Sequence, residues 1–199
     1  MAGLREQKKQ ETREAICAAA VQLFAENSFE KTSIEDIANA AGIGKTTVYG
    51  YFANKEDIFL TYCDEELARA FARYQSSDLQ DKPLLDRLVD FFMFKFAFVV
   101  ENPEFGRQMM RQFMFPNQVN EKISGHDRLY LETLETIFRQ ARERGEIAPQ
   151  HDLFLVSVHF FSLYLGCLVG WYKNYATSLE QAESLLRQLF QQALQGVLA

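Results

Sequence analysis

The chain has 199 residues, 48% of them hydrophobic and 24% charged, with 21 Lys plus Arg against 27 Asp plus Glu and a formal net charge of -6. That apolar content excludes a disordered chain, and 10 Gly with 4 Pro exclude a collagen-like or low-complexity one. The length supports one domain of ordinary size, or a small domain fused to a larger one. The acidic balance excludes a polybasic coat but not a local basic site, because charges act over a Debye length of roughly 8–10 Å.

Strand patterns are weak, and apolar residues recur at three- and four-residue spacing, so the chain reads as all-α. A first helix is expected over about 7–27, with Ile16, Ala19, Ala20, Leu23 and Phe24 on one face. The N-terminal stretch MAGLREQKKQETREAI has no apolar core and gives no signal-peptide pattern. Short helices follow over about 33–41 and 45–51. Asn54 caps a longer helix from Lys55 to about Gln75.

Ser76, Ser77, Asp78, Asp81 and Pro83 mark a break. A helix then runs from about Pro83 to Val100, stopped by Asn102-Pro103, and a shorter one reaches Met114. Pro116 and Asn117 turn the chain. A helix over about Asn120–Arg144 stops at Gly145, and two more cover Leu153–Tyr172 and Leu179–Leu198. No internal repeat is present.

The stretch Thr32 to Asp57, TSIEDIANAAGIGKTTVYGYFANKED, carries chemistry. Thr32 or Ser33 can cap a helix whose first turn holds Glu35 and Asp36, which suits its positive end. Ile34, Ile37, Ala38 and Ala41 form its packing face. Gly42 permits a positive φ, and Ile43 returns to the core. Val48 and Phe52 anchor the second helix. This is a helix-turn-helix pattern. The second helix opens with Lys45, Thr46 and Thr47, groups able to touch base edges and phosphates, and Tyr49 and Tyr51 add hydroxyls. Gly50 permits close backbone approach. No acid occurs from residue 42 to 55, and residues 1–13 carry Arg5, Lys8, Lys9 and Arg13 against Glu6 and Glu11. Positive charge is therefore concentrated at this end of an acidic chain.

The segments Thr32–Ala38, Ala41–Ile43, Thr47–Tyr49 and Tyr51–Phe59 resemble, at matching spacing, the DNA-binding signature of the TetR family of bacterial transcriptional regulators. The resemblance covers about residues 10 to 60. It implies an N-terminal three-helix DNA-binding domain, residues 1–55, and a larger helical ligand-binding and dimerisation domain, residues 56–199. It also implies a homodimeric repressor that binds a palindromic double-stranded operator in the cytoplasm and is released by a small hydrophobic effector. It places Lys45, Thr46 and Gly50 against bases. Thr47, Tyr49, Tyr51, Thr32 and Lys55 fall at positions that hold phosphates or sugars, with Lys55 as a phosphate clamp at a helix start. The helix from Lys55 is expected to belong to both halves. Gly44-Lys45-Thr46 matches the end of a nucleotide P-loop, but Asn39 stands where that pattern needs Gly, and a helix stands where it needs a strand.

Beyond residue 83 the chain is rich in Phe and Met. Phe91, Phe92, Phe94, Phe96 and Phe98 cover every side of one helix, and Phe105, Met109, Met110, Phe113, Met114 and Phe115 follow. Plain core is one reading and an apolar ligand chamber the other. The candidate lining is Phe91, Phe94, Phe98, Met109, Met110, Phe113, Tyr130, Phe160 and Tyr164. Lys95 is expected to snorkel to the surface, the alternative being a ligand carboxylate. His126 and His159 have no second metal ligand four residues on. No motif groups a nucleophile with an activating base, so neither enzyme activity nor a cofactor nor a metal is expected.

Leu153–Tyr172 has no Asp, Glu, Lys or Arg and the length of a bilayer span. Ser157, His159, Ser162 and Tyr164 make it a poor one, and a helix buried on nearly all sides in a bundle or an oligomer interface is the expected reading. Ser162, Gly166 and Gly170 recur every four residues and admit a second helix closely, while Leu185 and Leu189 stripe the last helix. Pairing of the last two helices with their copies would form a four-helix dimer seam. Cys17, Cys63 and Cys167 are read as reduced, buried thiols. A membrane-anchored interaction protein, or a small-molecule binding protein without DNA function, are the alternatives.

Overall fold

The computed structural model describes residues 2–76, 79, 81–101, 103–114 and 121–196, with the backbone alone at 2, 3, 104, 105, 112, 113, 121–124, 126 and 127. Ser77, Asp78, Asn102, Phe115, Pro116, Asn117, Asn120 and Leu198 therefore lie outside it, as do the side chains of Phe105, Phe113 and His126. The described residues form nine helices and no strand-based sheet: α1 (Ala2–Asn27), α2 (Ile34–Ala40), α3 (Lys45–Tyr49), α4 (Lys55–Tyr74), α5 (Leu84–Glu101), α6 (Pro103–Met114), α7 (Glu121–Glu143), α8 (Leu153–Tyr172) and α9 (Leu179–Gln195). Most expected boundaries fall within a residue or two of these. The exception is α1, which starts about a turn and a half early. Its polar first turns are laced by side-chain pairs four apart, Gln7 to Glu11 at 3.0 Å and Gln10 to Glu14 at 2.9 Å.

The chain divides into two compact units. The first comprises residues 1–66 and 99–126, the second residues 67–98 and 127–199. The division falls within α4, between Glu66 and Leu67, so that helix contributes to both.

In the first unit, α1, α2 and α3 pack round Ile16, Ala20, Phe24, Ile37, Val48 and Ile58, all at most 1% exposed. Phe29 joins them, its ring centroid 4.8 Å from Phe24 and 5.8 Å from Phe59. α6 packs on α1 in the same unit.

The second unit is an aromatic bundle. α5 buries Phe91, Phe92 and Phe96 among Leu134, Phe138, Phe160, Tyr164 and Phe190 from α7, α8 and α9. Helix α8 is capped by Asp152, whose carboxylate accepts the N–H groups of Phe154 and Leu155. It buries Val156, Phe160, Tyr164, Cys167 and Leu168 on one face. The other face, including Leu155, His159, Ser162 and Gly166, is exposed. Burial on nearly all sides is thus not what the single chain shows. It is the one helix among the described residues long and apolar enough to cross a membrane.

Candidate nucleic-acid interface

Helix α2 is seven residues long and begins with a reciprocal cap. Ser33 Oγ accepts the Asp36 N–H at 3.1 Å, and Asp36 Oδ2 accepts the Ser33 N–H at 2.8 Å and its hydroxyl at 2.7 Å. Those bonds from Ser33 hold the Asp36 carboxyl below its usual range. The turn follows at Gly42, whose φ of +68° is the left-handed conformation that L side chains avoid. The Ile43 N–H then donates back to the Ala38 carbonyl at 3.0 Å, which fixes the turn against α2.

Helix α3 has only five residues and is anchored by one fully buried side chain, Val48, with Phe52 just beyond it 3% exposed. Lys45, Thr46, Thr47, Tyr49 and Gly50 are all exposed, and Tyr51 is half-buried. Five of the eight expected DNA-contact residues thus share one solvent face. A Cβ added at Gly50 would lie 3.1 Å from the Thr47 carbonyl, so the residue's smallness also serves the tight helix end. The count of acids along residues 42–55 misses one neighbour in space. Glu35 of α2 stands 3.3 Å from Lys45 Nζ, an exposed pair that a phosphate could displace.

Thr32 and Lys55 are brought together but turn toward one another. Thr32 is 3% exposed, and its hydroxyl donates to the carbonyls of Ser28 at 2.8 Å and Leu23 at 3.2 Å. Lys55 Nζ donates to the carbonyls of Phe29 at 2.7 Å, Thr32 at 3.2 Å and Glu30 at 3.3 Å. It also sits 4.5 Å from the centroid of the Phe29 ring. Asn54 caps α4 through the Asp57 N–H at 2.8 Å, as the sequence suggests. On the far side of the turn, Arg111 of α6 pairs with Glu30 at 3.0 Å, a link between residues 81 apart that no local pattern announces.

Of the expected ligand-lining residues, Phe91, Tyr130, Phe160 and Tyr164 are buried in the second unit, and Phe94 and Phe98 are half-exposed. Tyr130 lies against Phe161 at 4.6 Å and Tyr164 against Phe92 at 5.0 Å, whereas Phe160 is packed between Phe138 and Phe190, each at 5.0 Å. The Tyr164 hydroxyl is buried without a hydrogen-bond partner among the described residues. Met109 and Met110 belong to the first unit, on α6, and the side chain of Phe113 is outside the described residues. Lys95 does not snorkel. It is 2% exposed because it stands on the same buried face of α5 as Phe91 and Phe92, and its Nζ lies 5.3 Å from the Phe98 ring centroid. A separate groove of about 620 Å³, lined by Pro83, Leu84, Glu146, Gln191, Leu194 and Gln195, contains none of the expected residues.

Along the expected association face, Ser162 and Gly166 are exposed, Leu185 is 36% exposed and Leu189 is half-buried. Gly170 is buried instead, and a Cβ there would touch the Tyr175 ring of the same chain at 3.5 Å.

Residues 16–62 match the family model for bacterial regulatory proteins of the tetR family. The fatty acid metabolism regulator protein of Bacillus subtilis is 24% identical over 160 residues, 80% of this chain and 82% of that one. The structure of a transcriptional regulator FadR from Bacillus subtilis in complex with stearoyl-CoA is similar with a TM-score of 0.68 and 24% identity, covering 88% of this chain and 96% of that one. That of Thermus thermophilus FadR, a TetR-family transcriptional repressor, in complex with lauroyl-CoA, is similar with a TM-score of 0.71 and 22% identity, covering 89% and 93%.

Proposed function

We propose that this chain, which belongs to the TetR family of bacterial regulatory proteins, is a cytoplasmic, ligand-responsive transcriptional repressor. The observation that carries this reading is the exposed polar face of α3, Lys45, Thr46, Thr47, Tyr49 and Gly50, held on a helix-turn-helix core by Val48 and Gly42. Lys45 and Thr46 read base edges, with Gly50 leaving room for the groove. Thr47, Tyr49 and Tyr51 hold phosphates or sugars. DNA binding resides in residues 1–55, and effector binding and dimerisation in residues 56–199.

The exposed faces of α8 and α9, with Ser162, Gly166, Leu185 and Leu189, pair with a second copy. This covers the uncharged outer face of α8 without a membrane. Two recognition helices related by a two-fold axis then read a palindromic operator. The acidity of the whole chain weakens nonspecific binding and leaves recognition to the small basic face.

The effector is an amphiphile with an acyl chain, of the kind bound by the similar regulators crystallised with stearoyl-CoA and lauroyl-CoA. The Phe-rich helices of the second unit supply apolar walls, and the buried Tyr164 hydroxyl, without a hydrogen-bond partner among the described residues, supplies a donor for a carbonyl or carboxylate. Release follows only where the effector binds the DNA-incompetent state more tightly. Selection of random duplexes by the purified protein, followed by gel shift with lauroyl-CoA, tests the whole reading. A recovered palindrome released by lauroyl-CoA is expected. No consensus at moderate salt would leave a binding protein without DNA function.

A further inference from the structure

The Lys55 ammonium has three N–H groups, and three backbone carbonyls stand within 3.3 Å of it. All three acceptors belong to one short turn, residues 29–32, which joins α1 to α2. Lys55 itself is the first residue of α4, more than twenty positions later. The three acceptors match the ammonium's three donors and direct it into the protein.

The turn it holds leads directly to the recognition helix. Thr32, one of the three acceptors, is followed by Ser33, the residue that caps α2. The Ala38 carbonyl of α2 receives the Ile43 N–H and so sets the turn into α3. With five residues, α3 is too short to hold its own conformation and takes its pose from these neighbours. The turn is tied from the other side by the Thr32 hydroxyl, bonded to the Ser28 and Leu23 carbonyls. Ser28 has a φ of +75°, a left-handed conformation that a non-glycine residue keeps only when its surroundings enforce it.

We propose that Lys55 is a positioning residue: its ammonium ties the start of α4 to the turn before α2 and thereby sets the pose of the recognition helix, instead of neutralising a DNA phosphate. This rests on the DNA-binding role argued above, and it assigns Lys55 a part different from the phosphate clamp that the family resemblance implies. A compact ammonium suits a cradle of three convergent carbonyls, which a planar guanidinium cannot fill in the same way.

The test compares Lys55→Met, Lys55→Arg and Lys45→Ala with the parent protein on a duplex recovered by selection, over a range of salt concentrations. Lys55→Met is expected to lose affinity tenfold or more at every salt concentration, with an unchanged slope of log affinity against log salt. Loss of a phosphate contact would instead lower that slope by about 0.9, whereas Lys45→Ala should change sequence preference. Amide hydrogen exchange without DNA is the second readout. Residues 29–37 should exchange at least tenfold faster in Lys55→Met. A slope reduced by about 0.9 together with unchanged exchange would overturn the proposal. If Lys55→Met fails to fold, Lys55→Arg decides. It keeps the charge and any phosphate contact, so parental affinity together with parental exchange in residues 29–37 overturns the positioning role, and faster exchange with weaker binding supports it. The exchange result does not depend on DNA, so failure of the DNA-binding reading is distinguishable from failure of the clamp.

Discussion

Arg87 of α5 is fully buried, and its guanidinium donates to the Glu146 carboxylate in the turn after α7. The Tyr74 hydroxyl shares this environment. Its pKa is raised, chiefly by burial, and the Arg87 cation opposes the rise. A buried guanidinium is tolerated because an anion faces it.

Removing that anion should be costly. Breaking a buried pair from one side typically costs about 3–5 kcal/mol. Glu146 keeps 27% of its side chain exposed, so about 2–3 kcal/mol is expected for Glu146→Ala. In a chain of this size that lowers the melting temperature by roughly 4–12 °C. The double variant Arg87→Met, Glu146→Leu should recover most of the loss, because apolar groups need no partner. Thermal melts followed by circular dichroism check both. A Glu146→Ala melt within about 1 °C of the parent would show that the pair is not structural.

Gly166 separates association from folding. It is exposed, and a Cβ built on it meets nothing within 4 Å in the single chain. Gly166→Leu should therefore fold normally, and its better helix propensity adds up to about 0.8 kcal/mol. If α8 meets its copy along Ser162 and Gly166, the added side chain keeps the helices apart. Sedimentation velocity should then show at least a tenfold weaker dimer. A dimer of parental strength would place the seam elsewhere.

Tyr164→Phe tests the effector chamber. The hydroxyl is buried with no hydrogen-bond partner among the described residues, and burial pushes its pKa up, so it keeps its proton across the physiological range. Deleting an unsatisfied buried group does not destabilise, and the gain reaches about 1–2 kcal/mol. The effector-free melting temperature should be equal or higher. The rise produced by saturating lauroyl-CoA should be smaller than in the parent, because the donor for the head group is gone. A less stable effector-free variant would show that the hydroxyl is already bonded within the protein.

Local features of this fold were legible because they are written in adjacent residues. Thr32 or Ser33 announces a cap, which Ser33 forms; Gly42 announces a turn, and Val48 with Phe52 a small core, and each stands where the sequence places it. What the sequence concealed depends on distant partners. Lys55 reads as an exposed helix-start lysine until the carbonyls of residues 29, 30 and 32 surround it. Glu35 lies outside the acid-free window yet reaches Lys45 across the helix pair. Lys95 looks amphipathic in a run of Phe, but its position on the buried face of α5 leaves no short path to water. Gly170 continues the four-residue repeat of small residues, yet the loop after α8 folds Tyr175 onto it.

The thiols give the final prediction. Cys17, Cys63 and Cys167 are buried thiols. Burial, with help from Glu65, pushes the Cys17 pKa up to about 12. Burial alone pushes Cys167 up to about 11. The folded protein should therefore not react with a disulfide reagent at pH 8, and all 3 cysteines should react once denaturant unfolds it. The same shifts set an alkaline limit. Between pH 9 and about 12 for Cys17, and between 9 and about 11 for Cys167, the folded chain holds protons that the unfolded chain has released. Stability from these groups is complete below pH 9 and falls as pH rises, by up to about 1.4 kcal/mol per pH unit for each. Urea midpoints at pH 8 and pH 10 measure the loss, and a Cys17→Ala, Cys167→Ala variant should show less of it. Rapid labelling of the folded parent at pH 8 would contradict the burial of these thiols.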